Sequence, residues 1–291
     1  MYILFDIGGT NIRVATSEDG ATFCEPVSFA TPQKFDDGVA QIAAAAEKLC
    51  NSVSVIAAGG GVKGPVSSDE GILLHPPNLP DWKNKPLKKV LEKIFKAPVF
   101  LDNDTAVVGL GEAVAGAGKS HRIVAYVTIS TGANGVRTIA GKLDQNAYGF
   151  EIGHHIIDIN EKTLCTCSDT PTYIHPEALI TGTAFERRFS QKAYEITDEE
   201  TWDEAARVLA IMLHNVITFW SPDCIVVGGS MIVGVSGPVI PLENTRTYIK
   251  QMLTIFPKVP PIVPAELGSF GGLHGALALI RSHLEEDFAE R

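Results

Sequence analysis

The chain has 291 residues, is 45% hydrophobic and 20% charged, and carries a formal net charge of −10 at pH 7. That acidic balance argues against a broad nucleic-acid surface, and no run of about 18 apolar residues is present to span a membrane. The length suits two domains of ~100–200 residues each. The N-terminus lacks the basic-then-apolar plan of a signal peptide, so a cytoplasmic protein is expected.

Residues 2–7 (Tyr-Ile-Leu-Phe-Asp-Ile) predict a strand, Gly8-Gly9-Thr10-Asn11 a turn and residues 12–17 a second strand, together a β-hairpin. A glycine turn bares backbone N–H groups that can hold an anion. Asp6 adds a hard oxygen of the kind a phosphate-bound Mg²⁺ uses. The same residues also suit an ordinary tight turn with an aspartate cap. Further strands are expected at 53–58, 71–75 and 97–102, and helices at 37–50, 86–96 and about 104–116. The pattern then restarts: an apolar strand at 123–129, the turn Ser130-Thr131-Gly132-Ala133-Asn134-Gly135, and a strand at 136–140. Asn134 tolerates positive φ and so suits that turn. Helices follow at about 177–191, 199–219 and 241–254, with a final one from Gly271 to about His283.

The repeat of strand, glycine turn and strand predicts a duplicated α/β architecture with a phosphate hairpin in each half. The first lobe is expected at 1–116 and the second at 117–271. A C-terminal helix at about 272–291 is expected to pack back on the first lobe, and Ala-Gly-Ala-Gly-Lys-Ser-His at 115–121 reads as the hinge.

Asn103-Asp104 stands where a strand gives way to a helix, the edge at which open α/β sheets bind ligands. An aspartate there can accept a hydroxyl proton; Asn and Asp also serve as ordinary helix N-caps. Gly61-Val62-Lys63-Gly64-Pro65 is a Gly/Pro loop, and Pro77-Asn78-Leu79-Pro80-Asp81-Trp82 a rigid loop with an amide and an aromatic. Glu151-Ile152-Gly153-His154 sets a carboxylate and an imidazole three apart. A few polar groups among apolar walls make a small-molecule site, although each segment alone reads equally as a turn or a polar surface cluster. The five cysteines (Cys24, Cys50, Cys165, Cys167, Cys224) are an odd number, which argues against a disulfide framework. Cys50 and Cys224 read as packing residues.

Taken in order, these segments resemble the ROK family of sugar kinases, within the actin-like and hexokinase ATPase superfamily. Cys165-Thr166-Cys167, Glu177 and Val226-Val227-Gly228-Gly229 extend the resemblance over nearly the whole chain. It implies a two-lobed actin-like ATPase (ribonuclease H-like) fold with a cleft between lobes. It also implies ATP-dependent transfer of the γ-phosphate to a hexose hydroxyl, usually the 6-hydroxyl, with Asp104 as general base. Gly64, Asn78, Asn103, Glu151, His154 and Glu177 would hold the sugar. Gly8, Gly9, Thr10 and Asn11, with Thr131 and Gly132, would cradle the phosphates, with Asp6 near Mg²⁺. Gly228 and Gly229 would let the adenosine approach the backbone. Glucose is favoured, with mannose, fructose, N-acetylglucosamine and N-acetylmannosamine within the family's range. Homodimers are common in such folds, although no segment specifies one.

Two departures stand out. The family's structural zinc uses the His of Glu-x-Gly-His and three cysteines in Cys-x-Cys-Gly-x-x-Gly-Cys-x-Glu. Here the third cysteine is missing and His175 stands in its place, two residues before Glu177. Zinc accepts Cys₂His₂ as readily as Cys₃His, so His154, Cys165, Cys167 and His175 form the expected site; loss of the metal is the alternative. The second phosphate turn has Ser130 and Asn134 where the family favours glycines. The competing functions are a sugar-sensing regulator and a non-catalytic sugar binder. The regulators carry an N-terminal helix-turn-helix domain, for which a phosphate strand starting at Tyr2 leaves no room. A degenerate binder would have lost Asp6, Asp104 or the phosphate glycines, and all are present.

Overall fold

A computed structural model describes all residues except 68–69, 75, 77–78, 148, 160–172, 235–236 and 290–291, and describes residues 286–289 by backbone alone. In chain order the elements are β1 (Tyr2–Ile7), β2 (Asn11–Ser17), β3 (Val27–Ala30), α1 (Phe35–Cys50), β4 (Ala57–Val62), α2 (Leu87–Phe95), β5 (Val99–Asn103) and α3 (Asp104–Val114). There follow β6 (Ile123–Ile129), β7 (Ala133–Ile139), β8 (Lys142–Leu143), α4 (Glu177–Ile180), α5 (Gly182–Phe189), α6 (Glu199–Trp220), β9 (Cys224–Gly228), α7 (Leu242–Met252), β10 (Ile262–Pro264) and α8 (Gly271–Ala289). Two compact units result: residues 1–119, 141–149 and 267–291 in the first, and 120–140 and 150–266 in the second. Among the described residues no helix is long and apolar enough to cross a membrane.

In the first unit the strands run β3-β2-β1-β4-β5. β1 is antiparallel to β2 and parallel to β4, which is parallel to β5. Alternation along β1 follows from the strand period of two. Ile3, Phe5 and Ile7 join a core with Ile42, Trp82 and Leu91, while Leu4 faces the other way, with Leu110, Leu273 and Ile280 of α3 and α8. In the second unit the order is β10-β9-β6-β7. β6 is antiparallel to β7 and parallel to β9, which is parallel to β10. The order β7-β6-β9-β10 therefore repeats β2-β1-β4-β5, a duplicated core.

Several elements depart from the sequence reading. The strand expected at 53–58 is β4, shifted to Ala57–Val62. Val53 and Ile56 have high β propensity yet are half exposed. The glycine-rich run is instead the one enclosed between β1 and β5, so packing overrides propensity. Of the strand expected at 71–75, the described residues 71–74 supply only an isolated bridge, Leu73 to Val66. The short strands β3 and β10 carried no clear pattern. The helix expected at 177–191 is broken at Thr181, whose backbone is extended (φ −87°, ψ 162°) and whose side chain accepts the Ala184 N–H to cap α5.

α3 and α8 pack with their backbones unusually close. A Cβ at Gly275 would lie 1.7 Å from the Val107 carbonyl oxygen, where no side chain can yield. Gly275→Ala is therefore expected to cost about 1–3 kcal/mol or more through overpacking. Urea unfolding checks this, and an unchanged midpoint would mean that the helices can separate freely.

Candidate active site

Three neighbouring parallel strands of the first unit bring their carboxyl ends together. Asp6 of β1 is in register with Gly61 of β4, and Gly61 with Asp102 of β5. Asp104 opens α3 directly beyond β5. Asn103 caps that helix: its Oδ1 accepts the Thr105 N–H at 2.9 Å, and its Nδ2 donates to the Gly64 carbonyl at 3.0 Å. The capping role and the proximity to Gly64 thus hold for the same side chain, while Asp104 Oδ1 also accepts the Thr105 N–H at 2.8 Å.

The electrostatics of this corner are tense. Burial, then the nearby Asp104, pushes the Asp6 carboxyl up to about 6, against the pull of Arg13, whose Nη1 lies 3.2 Å from Asp6 Oδ2. Burial also raises Asp104, and the Lys63 ammonium and the Thr105 amide draw it back down. Arg13 and Lys63 were not singled out by the sequence reading. Arg13 lies in the second strand of the first hairpin and Lys63 in the Gly/Pro loop, and their charge acquires meaning only once β1, β2 and β4 are side by side. A carboxylate held above its ordinary range by burial and then by a second carboxylate suits an incoming divalent cation, so Asp6 fits Mg²⁺ carried largely on phosphate oxygens.

The first glycine turn is closed internally. The Gly8 N–H donates to Asn11 O at 3.0 Å and the Thr31 N–H to Thr10 O at 2.8 Å. Thr31 Oγ1 donates to Gly8 O at 2.7 Å. Trp82 is fully buried, and its loop is tied to α1 by Asp81 Oδ2, which accepts the Phe35 N–H at 2.9 Å. Asn78 lies outside the described residues.

In the second unit, Glu177 links the second glycine turn to His154. Its Oε2 accepts the Ala133 N–H at 2.9 Å, directly after Thr131 and Gly132, and its Oε1 lies 3.3 Å from His154 Nε2. Burial pushes Glu177 up, but the His154 and Ala133 hydrogen bonds more than offset it, so it ends below its usual range. The Glu177 bond in turn raises His154. His175 is buried, its ring 4.8 Å from that of His154 and its Nδ1 3.2 Å from Gly153 O; burial, then His154, lowers its pKa. Glu151 is exposed at the start of the short turn that carries His154.

Asn134 does not take the positive φ expected of it. It is a β7 residue paired with Thr128, because the turn closes earlier, with the Ser130 N–H on Gly132 O at 2.8 Å. Gly228 and Gly229 have internal reasons to be glycine. A Cβ at 228 would lie 2.6 Å from the Tyr126 hydroxyl, and Gly229 has φ +90° against the Ile129 backbone. Of the expected zinc ligands, His154 and His175 are adjacent, while Cys165 and Cys167 lie outside the described residues. Among the described residues no group of three or more His, Cys, Asp or Glu is arranged to hold a metal ion.

Comparison with known proteins bears on this arrangement. A glucokinase from Streptomyces coelicolor is 26% identical over 312 residues, covering 95% of this chain and 96% of that protein. The crystal structure of a ROK hexokinase from Thermus thermophilus superposes with a TM-score of 0.83 at 26% identity, over 98% of this chain and 99% of that one. A ROK family glucokinase from Streptomyces griseus, solved in complex with glucose and AMPPNP, gives a TM-score of 0.76 at 24% identity, over 97% and 99% of the two chains. The fold is thus the two-lobed actin-like ATPase fold that the resemblance implies. The ROK family model matches residues 2–283, and with the ordered motifs from Asp6 to Gly229 this establishes that the chain belongs to the ROK family.

Proposed function

We propose that this protein is an ATP-dependent sugar kinase that transfers the γ-phosphoryl group to a hexose hydroxyl, the 6-hydroxyl of glucose or a closely related sugar. The observation that carries the reading is Asp104, a carboxylate at the head of α3 and the carboxyl edge of β5, beside Lys63 and Asp6. The glucokinase and hexokinase names of the relatives support the substrate class. The AMPPNP in one structural neighbour supports ATP.

Phosphoryl transfer asks mostly for positioning and charge neutralisation. Asp104 accepts the proton of the attacking hydroxyl as its oxygen bonds to the γ-phosphorus and the bond from phosphorus to the bridging oxygen breaks, releasing ADP. Gly64, Asn78 and Asn103, with Glu151, His154 and Glu177, orient the sugar. Gly8, Gly9, Thr10 and Asn11, with Thr131 and Gly132, face the phosphates, and Gly228 and Gly229 the adenosine. Asp6 would hold Mg²⁺, which neutralises phosphate charge when bound.

The test is ADP release with ATP and Mg²⁺ across hexoses and N-acetylhexosamines. Turnover with one sugar class is expected; silence across the panel with sugar binding intact by calorimetry would leave a binder or sensor.

For zinc, the reading is a structural site formed by His154, Cys165, Cys167 and His175, which would orient His154 and Glu177. One zinc per chain is expected in the purified protein, and His175→Ala should lower metal content and melting temperature together. Metal-free wild-type protein would remove the site.

A further inference from the structure

The first glycine turn sets two demands against each other. Gly8 and Gly9 carry no Cβ, which opens their amides to a bulky anion, but a peptide plane between two glycines also turns with little steric hindrance. An anion site needs that plane held in one orientation. The Gly8 carbonyl and the Gly9 N–H share one planar trans peptide and point in opposite directions; no cis peptide bond is present among the described residues. Whatever holds the Gly8 carbonyl therefore aims the Gly9 N–H.

That hold is Thr31, a buried residue with no part in the chemistry above. Its Oγ1 donates to Gly8 O at 2.7 Å from 23 positions away in the chain. Its N–H donates to Thr10 O at 2.8 Å, which by the same geometry sets the direction of the Asn11 N–H. One residue thus orients two peptide planes of the turn. Thr31 is itself fixed from both sides. Before it, β3 pairs with β2, Ala30 opposite Asn11. After it, the Pro32 carbonyl accepts the Trp82 indole N–H at 3.0 Å, and Asp81 accepts the Phe35 N–H at 2.9 Å. We infer that Thr31 is a positioning residue that aims the Gly9 and Asn11 N–H groups at a nucleotide phosphate from behind the turn. The inference deepens the kinase reading and rests on it.

Thr31→Val keeps the shape and removes the hydroxyl, whereas Thr31→Ser keeps the hydroxyl and removes the methyl group. In Thr31→Val the KM for ATP should rise about tenfold, the scale of one well-made hydrogen bond, with sugar KM unchanged. Thr31→Ser should recover most of that loss. Weakened folding alone would lower the active fraction and leave the KM for ATP where it was. NMR relaxation of the backbone amides in the ligand-free protein gives a readout independent of catalysis. The Gly9 order parameter should fall from the rigid value of about 0.85 toward about 0.6 in Thr31→Val and recover in Thr31→Ser. Thr31→Ala takes the place of the valine variant if that one does not fold. An unchanged KM for ATP in Thr31→Val, or equal losses in the valine and serine variants, overturns the inference, and so does an unaltered Gly9 order parameter. If the wild type binds ATP by calorimetry but phosphorylates no sugar, the kinase reading fails by that result alone. Gly9 order and ATP affinity across the variants then still decide the role of Thr31. A wild type that binds no ATP overturns both.

Discussion

Asp104→Asn is expected to lower kcat by about 10²–10⁴-fold, the usual contribution of general acid–base catalysis, while sugar affinity stays within a few-fold of wild type. The amide has nearly the same shape and keeps an oxygen for the Thr105 N–H that Asp104 Oδ1 now accepts at 2.8 Å, but it cannot take a proton. The same variant should melt at a higher temperature. Burial raises the Asp104 pKa above the ordinary aspartate value, so the ionised form is disfavoured in the folded protein. A group whose folded pKa is raised withdraws stability as pH climbs from its unfolded value through its folded one, and at neutral pH the neutral amide avoids that cost. The sign for activity is the reverse: protonation at low pH disables the base. The acid limb of kcat/KM should therefore lie above the usual carboxylate range, with Asp6, itself pushed up to about 6, contributing to the same limb. Steady-state kinetics, calorimetric sugar binding and thermal melts on one preparation check all of this. Near-normal turnover in the variant would take the base role from Asp104.

The duplicated hairpins were readable because Asp6-Ile7-Gly8-Gly9 and Ile129-Ser130-Thr131-Gly132 each interrupt an apolar run of period two with a turn, a signal contained in a dozen residues. β4 was misplaced because Gly59, Gly60 and Gly61 have no strand propensity of their own; only the parallel neighbours β1 and β5 make them a strand. The Asn103-Asp104 pair offered two readings, helix cap or chemistry. In the structure both side chains accept the Thr105 N–H, so the cap is shared and does not by itself choose between the two readings for Asp104. Lys63 gains its significance from Asp104, distant in sequence, about which a local pattern contains no information, whereas Arg13 meets Asp6 directly across the predicted hairpin. Asn134 shows the opposite error, a residue-type preference for positive φ applied to a position that register places in β7.

Trp82→Ala should cost about 3–5 kcal/mol, the range for emptying a buried aromatic site and a large share of a typical total of roughly 5–15 kcal/mol. The sequence reading made Trp82 the aromatic of a rigid loop; the structure buries it completely. Its indole N–H donates to the Pro32 carbonyl at 3.0 Å, and its ring meets that of Phe35 edge-on at 5.3 Å. It lies so close over α1 that a Cβ at Gly38 would be 2.3 Å from it. Removing the ring therefore opens a cavity between α1 and the loop and leaves the Pro32 carbonyl without its donor. Trp82→Phe separates these two effects. It fills most of the cavity and should cost chiefly the lost hydrogen bond and residual void, about 1–3 kcal/mol. Urea unfolding of the three proteins at constant slope gives the differences directly. If alanine and phenylalanine cost the same, the hydrogen bond rather than the volume anchors the loop; if neither costs more than about 0.5 kcal/mol, the range for ordinary surface positions, the burial of Trp82 described here is wrong.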